Sequence, residues 1–199
     1  MAIMKLQTQL RREQIVQAAL TLIAGEGLNG LSMTALARRV GMGTSSLYRH
    51  FAGKDEVLDG VVDLLRERLL GNVRIAIEEA ADPLEQLRRL LAMHMRLILE
   101  YQAIPRLFFS GDLYAGHPER KAKLFGIVMT YLEEVAAIIR RGQEQGAFRP
   151  DLDPDSTAVV FLGLIQPPAI LSHLSEGQFD VEHQLENGWP IFHEAIRMR

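Results

Sequence analysis

Thr44, Ser45, Ser46, Tyr48, Arg49 and His50 place three hydroxyls, a phenol, a guanidinium and an imidazole within seven residues. Groups of these types hydrogen-bond phosphate oxygens and base edges. Leu47 and Phe51 give the same stretch an apolar inner side, so the polar groups are left pointing away from a core. Arg49 has the fork that pairs with guanine O6 and N7.

Those residues need an element to carry them. The pattern predicts a short helix over 44–50, preceded by a first helix over 33–40 with Leu36, Ala37 and Val40 inward. Ser32 is a good N-cap for the first helix, its hydroxyl accepting from a free backbone N–H. Gly41-Met42-Gly43 lies between them, with glycine where the chain must turn sharply and φ > 0 is needed. Two helices joined by a Gly-containing turn describe a helix-turn-helix over 32–51, whose second helix lies in a DNA major groove.

Bond-making chemistry finds little support. His193-Glu194 is not followed by a second His at the spacing of a zinc-protease helix, and there is no Gly-x-Ser-x-Gly elbow or phosphate loop. The six histidines show no ligand spacing. The expectation is a chain that is not an enzyme, with no metal and no cofactor.

Composition agrees with a cytoplasmic globular protein. The chain has 199 residues, 48% of them hydrophobic, and no cysteine, which removes disulfides and thiolate metal sites. The N-terminus has no long apolar run after its charges, and the apolar stretches are broken by polar residues and prolines, so neither a signal peptide nor a membrane span is expected. The net charge of −3 is unevenly spread: residues 1–54 hold seven Lys or Arg against two Glu, or +5, which leaves −8 for the rest. A basic first quarter on an acidic body points the first part at a polyanion.

Helical periodicity runs through the whole chain, which reads as all-α. Ile15, Ala18, Ala19, Leu22 and Ile23 form one stripe of a helix over about 8–24, stopped by Gly25 and Gly27. After Ala52-Gly53 a long helix opens near Asp55 and runs to about Ala80, linking a small N-terminal domain to a larger one. Further helices start at Asp82-Pro83, Ile104-Pro105, Pro118 and Asp153-Pro154, and a last one spans about 181–198. The stretch 154–174 is apolar almost all round, which favours a subunit interface, with Pro167-Pro168 kinking it.

The order of an amphipathic helix, LSMTALARRVGMGTSSLYRHFAGKDEVL and a long helix resembles the DNA-binding domain of the TetR family of transcriptional regulators. The match covers roughly residues 9–69 and is densest at Leu47-Tyr48-x-His50-Phe51 and Lys54-Asp55-x-Val57-Leu58. Gly43 stands where the family usually has a serine cap, and Ser45 where glycine is frequent. The resemblance implies a three-helix DNA-binding domain over 9–69 and a larger helical ligand-binding and dimerisation domain over 70–199. It implies base contacts from Thr44, Ser45 and Ser46, and phosphate contacts from Thr34, Tyr48, His50 and Lys54. It also implies a homodimer built from the last two helices, bound to a double-stranded operator.

Family members commonly hold a small molecule within the C-terminal helices. Candidates for that role are His94, Met95, Tyr101, Phe108 and Phe109, then Phe125, Met129, Phe161, Gln166 and His173. Aromatics and Met at helical spacing are more often plain core than pocket, and for His94 and His173 the favoured reading is a buried, satisfied histidine. The function implied is a ligand-responsive repressor released from its operator by an effector. The alternative is a helical-bundle enzyme or carrier with an incidental helix-turn-helix.

Overall fold

The computed structural model describes residues 2–101, 103, 104, 107, 111 and 113–198, with side chains from residue 7 onward. Among them the chain is helical, and the only β pairing is one bridge between Phe148 and Arg197. The helices are α1 (Ala2–Gly30), α2 (Met33–Val40), α3 (Thr44–Tyr48), α4 (Lys54–Glu79), α5 (Pro83–Glu100), α6 (Pro118–Glu144), α7 (Pro154–Gly163), α8 (Gln166–Leu174) and α9 (Val181–Ile196). They fall into two compact units: residues 1–67 with 101–124, and residues 68–100 with 125–199. The first unit thus contains a later stretch, 101–124, that a boundary near residue 70 assigns elsewhere.

In the first unit α1 is longer than its apolar stripe. It is interrupted at Gly27, whose φ of 70° few other residues tolerate. Ile15, Ala19 and Ile23 of α1, Leu36 of α2, Leu47 of α3, Phe51 and Val57 and Val61 of α4 are buried together in its core. Gly60 allows α4 to come close: a Cβ there would stand 3.0 Å from Val16 and 3.2 Å from the Phe51 ring.

The second unit has its own core. Leu87, Leu90 and Met95 of α5 meet Tyr131, Val135 and Ile139 of α6, Phe161 of α7 and Phe192 of α9. Asp82 caps α5 through the Leu84 and Glu85 N–H groups, and Asp153 caps α7 through Ser156 N–H at 2.8 Å. The stretch 147–152 is extended only at its start, where Arg149 N–H donates to the Ile196 carbonyl and Met198 N–H to the Ala147 carbonyl. Those two bonds tie the end of the chain to the α6–α7 loop.

Two expectations change here. The apolar stretch 154–174 is two helices, not one kinked helix: α7 ends at Gly163 and α8 begins at Gln166. Pro167 and Pro168 then fall in the first turn of α8, where missing N–H groups cost no intrahelical bond. By length and composition alone Pro154–Leu174 is apolar enough to cross a membrane, contrary to the expectation that no span fits. In the structure Ala158, Phe161, Ile165 and Ala169 of this stretch are in the protein core. The short helix expected after Ile104-Pro105 lies largely outside the described residues.

Candidate nucleic-acid interface

The helix-turn-helix is built from local signals. Ser32 Oγ accepts from Ala35 N–H at 3.1 Å and starts α2. Gly41, with φ 72° and ψ 36°, ends it, while Met42 N–H donates back to the Ala37 carbonyl at 3.0 Å. Gly43 has an ordinary φ of −70° and offers no side chain to cap α3. α3 closes at Tyr48 rather than at His50, and the chain continues as a turn with Phe51 N–H on the Leu47 carbonyl at 3.0 Å.

This frame leaves the expected residues in distinct settings. Thr34, Ser45, Tyr48 and Arg49 are exposed, and Thr44, Ser46, His50 and Lys54 are half-buried. Arg49 Nη2 donates to Ser46 Oγ at 2.7 Å, so the guanidinium is held along α3. The Nδ1 of His50 is buried and has no hydrogen-bond partner, while its carbonyl accepts from Arg12. Lys54 Nζ donates to the Leu28 carbonyl at 2.5 Å, which fastens the start of α4 to the end of α1. Arg38 and Arg39, in the last turn of α2, are exposed as well.

Arg12 was legible only as one more positive charge. It lies 4.0 Å over the Phe51 ring and 2.9 Å from Glu56 Oε1, and Glu56 Oε2 accepts from Ala52 N–H at 2.7 Å. The Ala52 hydrogen bond first, and Arg12 second, hold the Glu56 carboxyl below its ordinary range. Arg12 and Glu56 are 44 positions apart, and no local pattern announces such a pair.

The residues expected to meet a small molecule are dispersed. His94 is buried in the second unit, where its Nδ1 and the Tyr131 hydroxyl share a hydrogen bond of 2.9 Å with the rings edge to face. Burial lowers the His94 pKa to about 4 and pushes the Tyr131 phenol up. Tyr131 was not among the expected residues. Met95 and Phe161 belong to the same apolar core, Phe161 with no exposure at all. Tyr101 belongs to the first unit and accepts from Gln17 Nε2 at 2.9 Å. Phe125 (67% exposed), Met129, Gln166 and His173 are at the surface of the chain. Phe108 and Phe109 lie outside the described residues. Among the described residues no three His, Asp or Glu are grouped so as to hold a metal ion.

The α7–α8 break leaves a cleft of about 380 Å³ against α9, lined by Leu164, Pro168, Leu171, Phe179, Leu185 and Trp189. On α7, α8 and α9 the apolar side chains of Val159, Val160, Leu171, Leu174 and Ile191 are exposed, Leu174 at 73% and Ile191 at 72%.

Comparison with known proteins matches two family models, one after the other along the chain. Residues 15–61 match the family model described as bacterial regulatory proteins, tetR family, and residues 80–168 match the tetracyclin repressor-like C-terminal domain. The HTH-type transcriptional repressor KstR2 of Mycolicibacterium smegmatis is 29% identical over 75% of this chain and 73% of its own. The nucleoid occlusion factor SlmA of Vibrio vulnificus strain YJ016 is 25% identical over 94% of this chain and 96% of its own. The solved structure of the fatty acid degradation regulator FadR from Bacillus halodurans superposes with a TM-score of 0.78 at 20% identity, covering 92% of this chain and 94% of that one. With both domain models matched in order and the helix-turn-helix formed as they require, the chain belongs to the TetR family of DNA-binding transcriptional regulators.

Proposed function

We propose that the protein is a homodimeric repressor that grips an operator through α2 and α3 and lets go when a small molecule binds its C-terminal helices. The observation that carries this reading is the exposure of Thr34, Ser45, Tyr48 and Arg49 on a helix-turn-helix braced by Arg12 and Lys54. One such module buries only about 600–1,000 Å² on DNA, which favours two copies on two half-sites. The exposed apolar side chains of α7, α8 and α9 supply a face for the second copy. Phe161, buried in its own core, is not part of that face.

Thr44, Ser45, Ser46 and Arg49 are assigned to base edges, and Thr34, Tyr48, His50 and Lys54 to the backbone. For the effector, the His94–Tyr131 pair is a hydrogen-bonding point within an otherwise apolar core. It suits an apolar molecule with one polar group, and fatty acids are the first class to test given the FadR neighbour. An effector shifts DNA binding only by its difference in affinity for the two states. A coupling of ~1–3 kcal/mol releases the operator roughly 5–150-fold. The reading places the protein in the cytoplasm, with no catalytic role.

A gel shift on the DNA upstream of its own gene tests the first half, and effector-dependent release tests the second. The SlmA relatives, by their name, give a second reading, a nucleoid occlusion factor rather than a promoter-bound repressor. Genome-wide occupancy separates them: a few promoter sites support the repressor, and many sites away from promoters support the other.

A further inference from the structure

The first turns of α4 are gripped on two sides within the first unit. On one side Lys54 and Glu56 reach Leu28, Ala52 and Arg12, the frame of the helix-turn-helix. On the other, Asp55, Asp59 and Asp63 follow one another at four-residue spacing, which stacks them on one face of a helix. Opposite them the start of α6 presents His117, Arg120 and Lys123. His117 Nε2 lies 3.3 Å from Asp55 Oδ1, Arg120 Nε 2.8 Å from Asp59 Oδ1, and Lys123 Nζ 2.7 Å from Asp63 Oδ1.

Arg120 differs from the other five. Its side chain is 4% exposed, whereas the three aspartates are about half exposed or more. Besides Asp59, its Nη1 donates to the Leu113 carbonyl at 2.9 Å, and its Nη2 to the Asp55 carbonyl at 3.1 Å and Asp55 Oδ1 at 3.3 Å. Ion pairs with well-exposed carboxylates add little stability. A buried guanidinium with donors in fixed directions instead defines position and angle, which a lone ammonium does not. Asp55, which it grips through both main chain and side chain, stands between Lys54 and Glu56. Any rotation of α4 at Asp55 is therefore passed to the ties that hold α2 and α3.

We propose that Arg120 is a positioning residue for DNA binding: by gripping the first turns of α4 it sets the pose of the helix-turn-helix. The proposal rests on the DNA-binding reading above, but its geometric half is measurable without DNA. The chain has no cysteine, so Ser45→Cys on α3 and Ala122→Cys on α6 give a clean pair of spin-label sites for the distance, while DNA binding is measured on the full-length protein without those two cysteines.

The parent should give one narrow distance distribution. Arg120→Met and Arg120→Lys should shift or broaden it and weaken binding to a promoter fragment by about tenfold or more, with helicity unchanged. Arg120→Lys keeps the charge, so its failure to rescue separates fork geometry from charge. Asp59→Asn, at a half-exposed site, gives a milder change and serves if Arg120→Met does not fold. An unchanged distribution in both Arg120→Lys and Asp59→Asn overturns the proposal. So does parental DNA affinity in every variant. A parent that binds no fragment, with variants that still broaden the distance, upholds the grip on the helix-turn-helix and overturns the DNA-binding reading instead.

Discussion

Arg12 Nη2 lies 2.9 Å from Glu56 Oε1, and through that pair α1 is joined to α4 behind the helix-turn-helix. The same guanidinium covers the Phe51 ring and donates to the His50 carbonyl, and the same carboxylate accepts from Ala52 N–H. One ion pair thus reaches the turn after α3, the loop that follows and both flanking helices. Its charge is paired within the protein, although the side chain remains 39% exposed.

Glu56 makes the stability of this unit acid-sensitive. Its carboxyl titrates lower in the folded state than in the unfolded chain, where the ordinary value is 4.5. The unfolded state therefore binds more protons as pH falls through this range, and the stabilisation present above pH 4.5 is lost on acidification. Glu56→Gln should cost roughly 0.5–1.5 kcal/mol near neutrality, a modest figure because the pair is partly exposed. Thermal unfolding from pH 7 to 3 should show the gap between parent and variant closing; a constant gap contradicts this role for the carboxylate.

His94 acts over a higher window. Held to a pKa of about 4 by burial, it stays neutral in the fold while the unfolded imidazole takes a proton below 6.5. Stability is then lost between pH 6.5 and 4, by about 3 kcal/mol in the limit where the ring stays buried. His94→Gln should flatten denaturant midpoints across that window. A parental pH dependence in the variant would place the acid sensitivity elsewhere.

Adjacent residues of α7 should separate folding from assembly. Phe161→Ala removes a wholly buried ring and should destabilise the monomer fold by ~3–5 kcal/mol. Val160→Glu, at a side chain that is 59% exposed, should leave the fold intact and yield monomers in sedimentation. Dimers that persist with Val160→Glu would move the interface off this face.

Arg49 and Lys54 should fail differently on DNA. Arg49→Ala should lower affinity unequally among sequences, by ~1–3 kcal/mol where a guanine is read. Lys54→Ala should weaken all sequences alike and also lower the unfolding midpoint, because Nζ holds the Leu28 carbonyl. Ser46→Ala, which removes a hydroxyl assigned to base edges and frees the Arg49 guanidinium, should relax sequence preference and lower affinity most for the preferred sequence. Equal losses across sequences for Arg49→Ala would reassign that side chain to phosphate.

What could be read from sequence was local. Ser32, Gly41, Asp82 and Asp153 act on groups within a few residues, so the helix starts and stops they impose are visible in order. The joins made by Arg12, Glu56 and Arg120 link positions far apart and leave no periodic trace. Within 158–165 the apolar run is continuous, and periodicity cannot rank Phe161 against Val160, although one is buried and the other exposed. The return of 101–124 to the first unit, where Ala103, Leu107 and Leu113 are buried, joins positions equally far apart and was equally hidden.

The most direct test is the salt dependence of binding to the promoter region upstream of its own gene. The parent should bind at low salt, with log affinity falling linearly against log salt. Arg49→Ala with Lys54→Ala should weaken binding and reduce that slope by about two if both meet phosphates, and by about one if Arg49 reads a base. A parent that binds no such fragment at low salt, or a double variant with parental affinity and slope, contradicts the account.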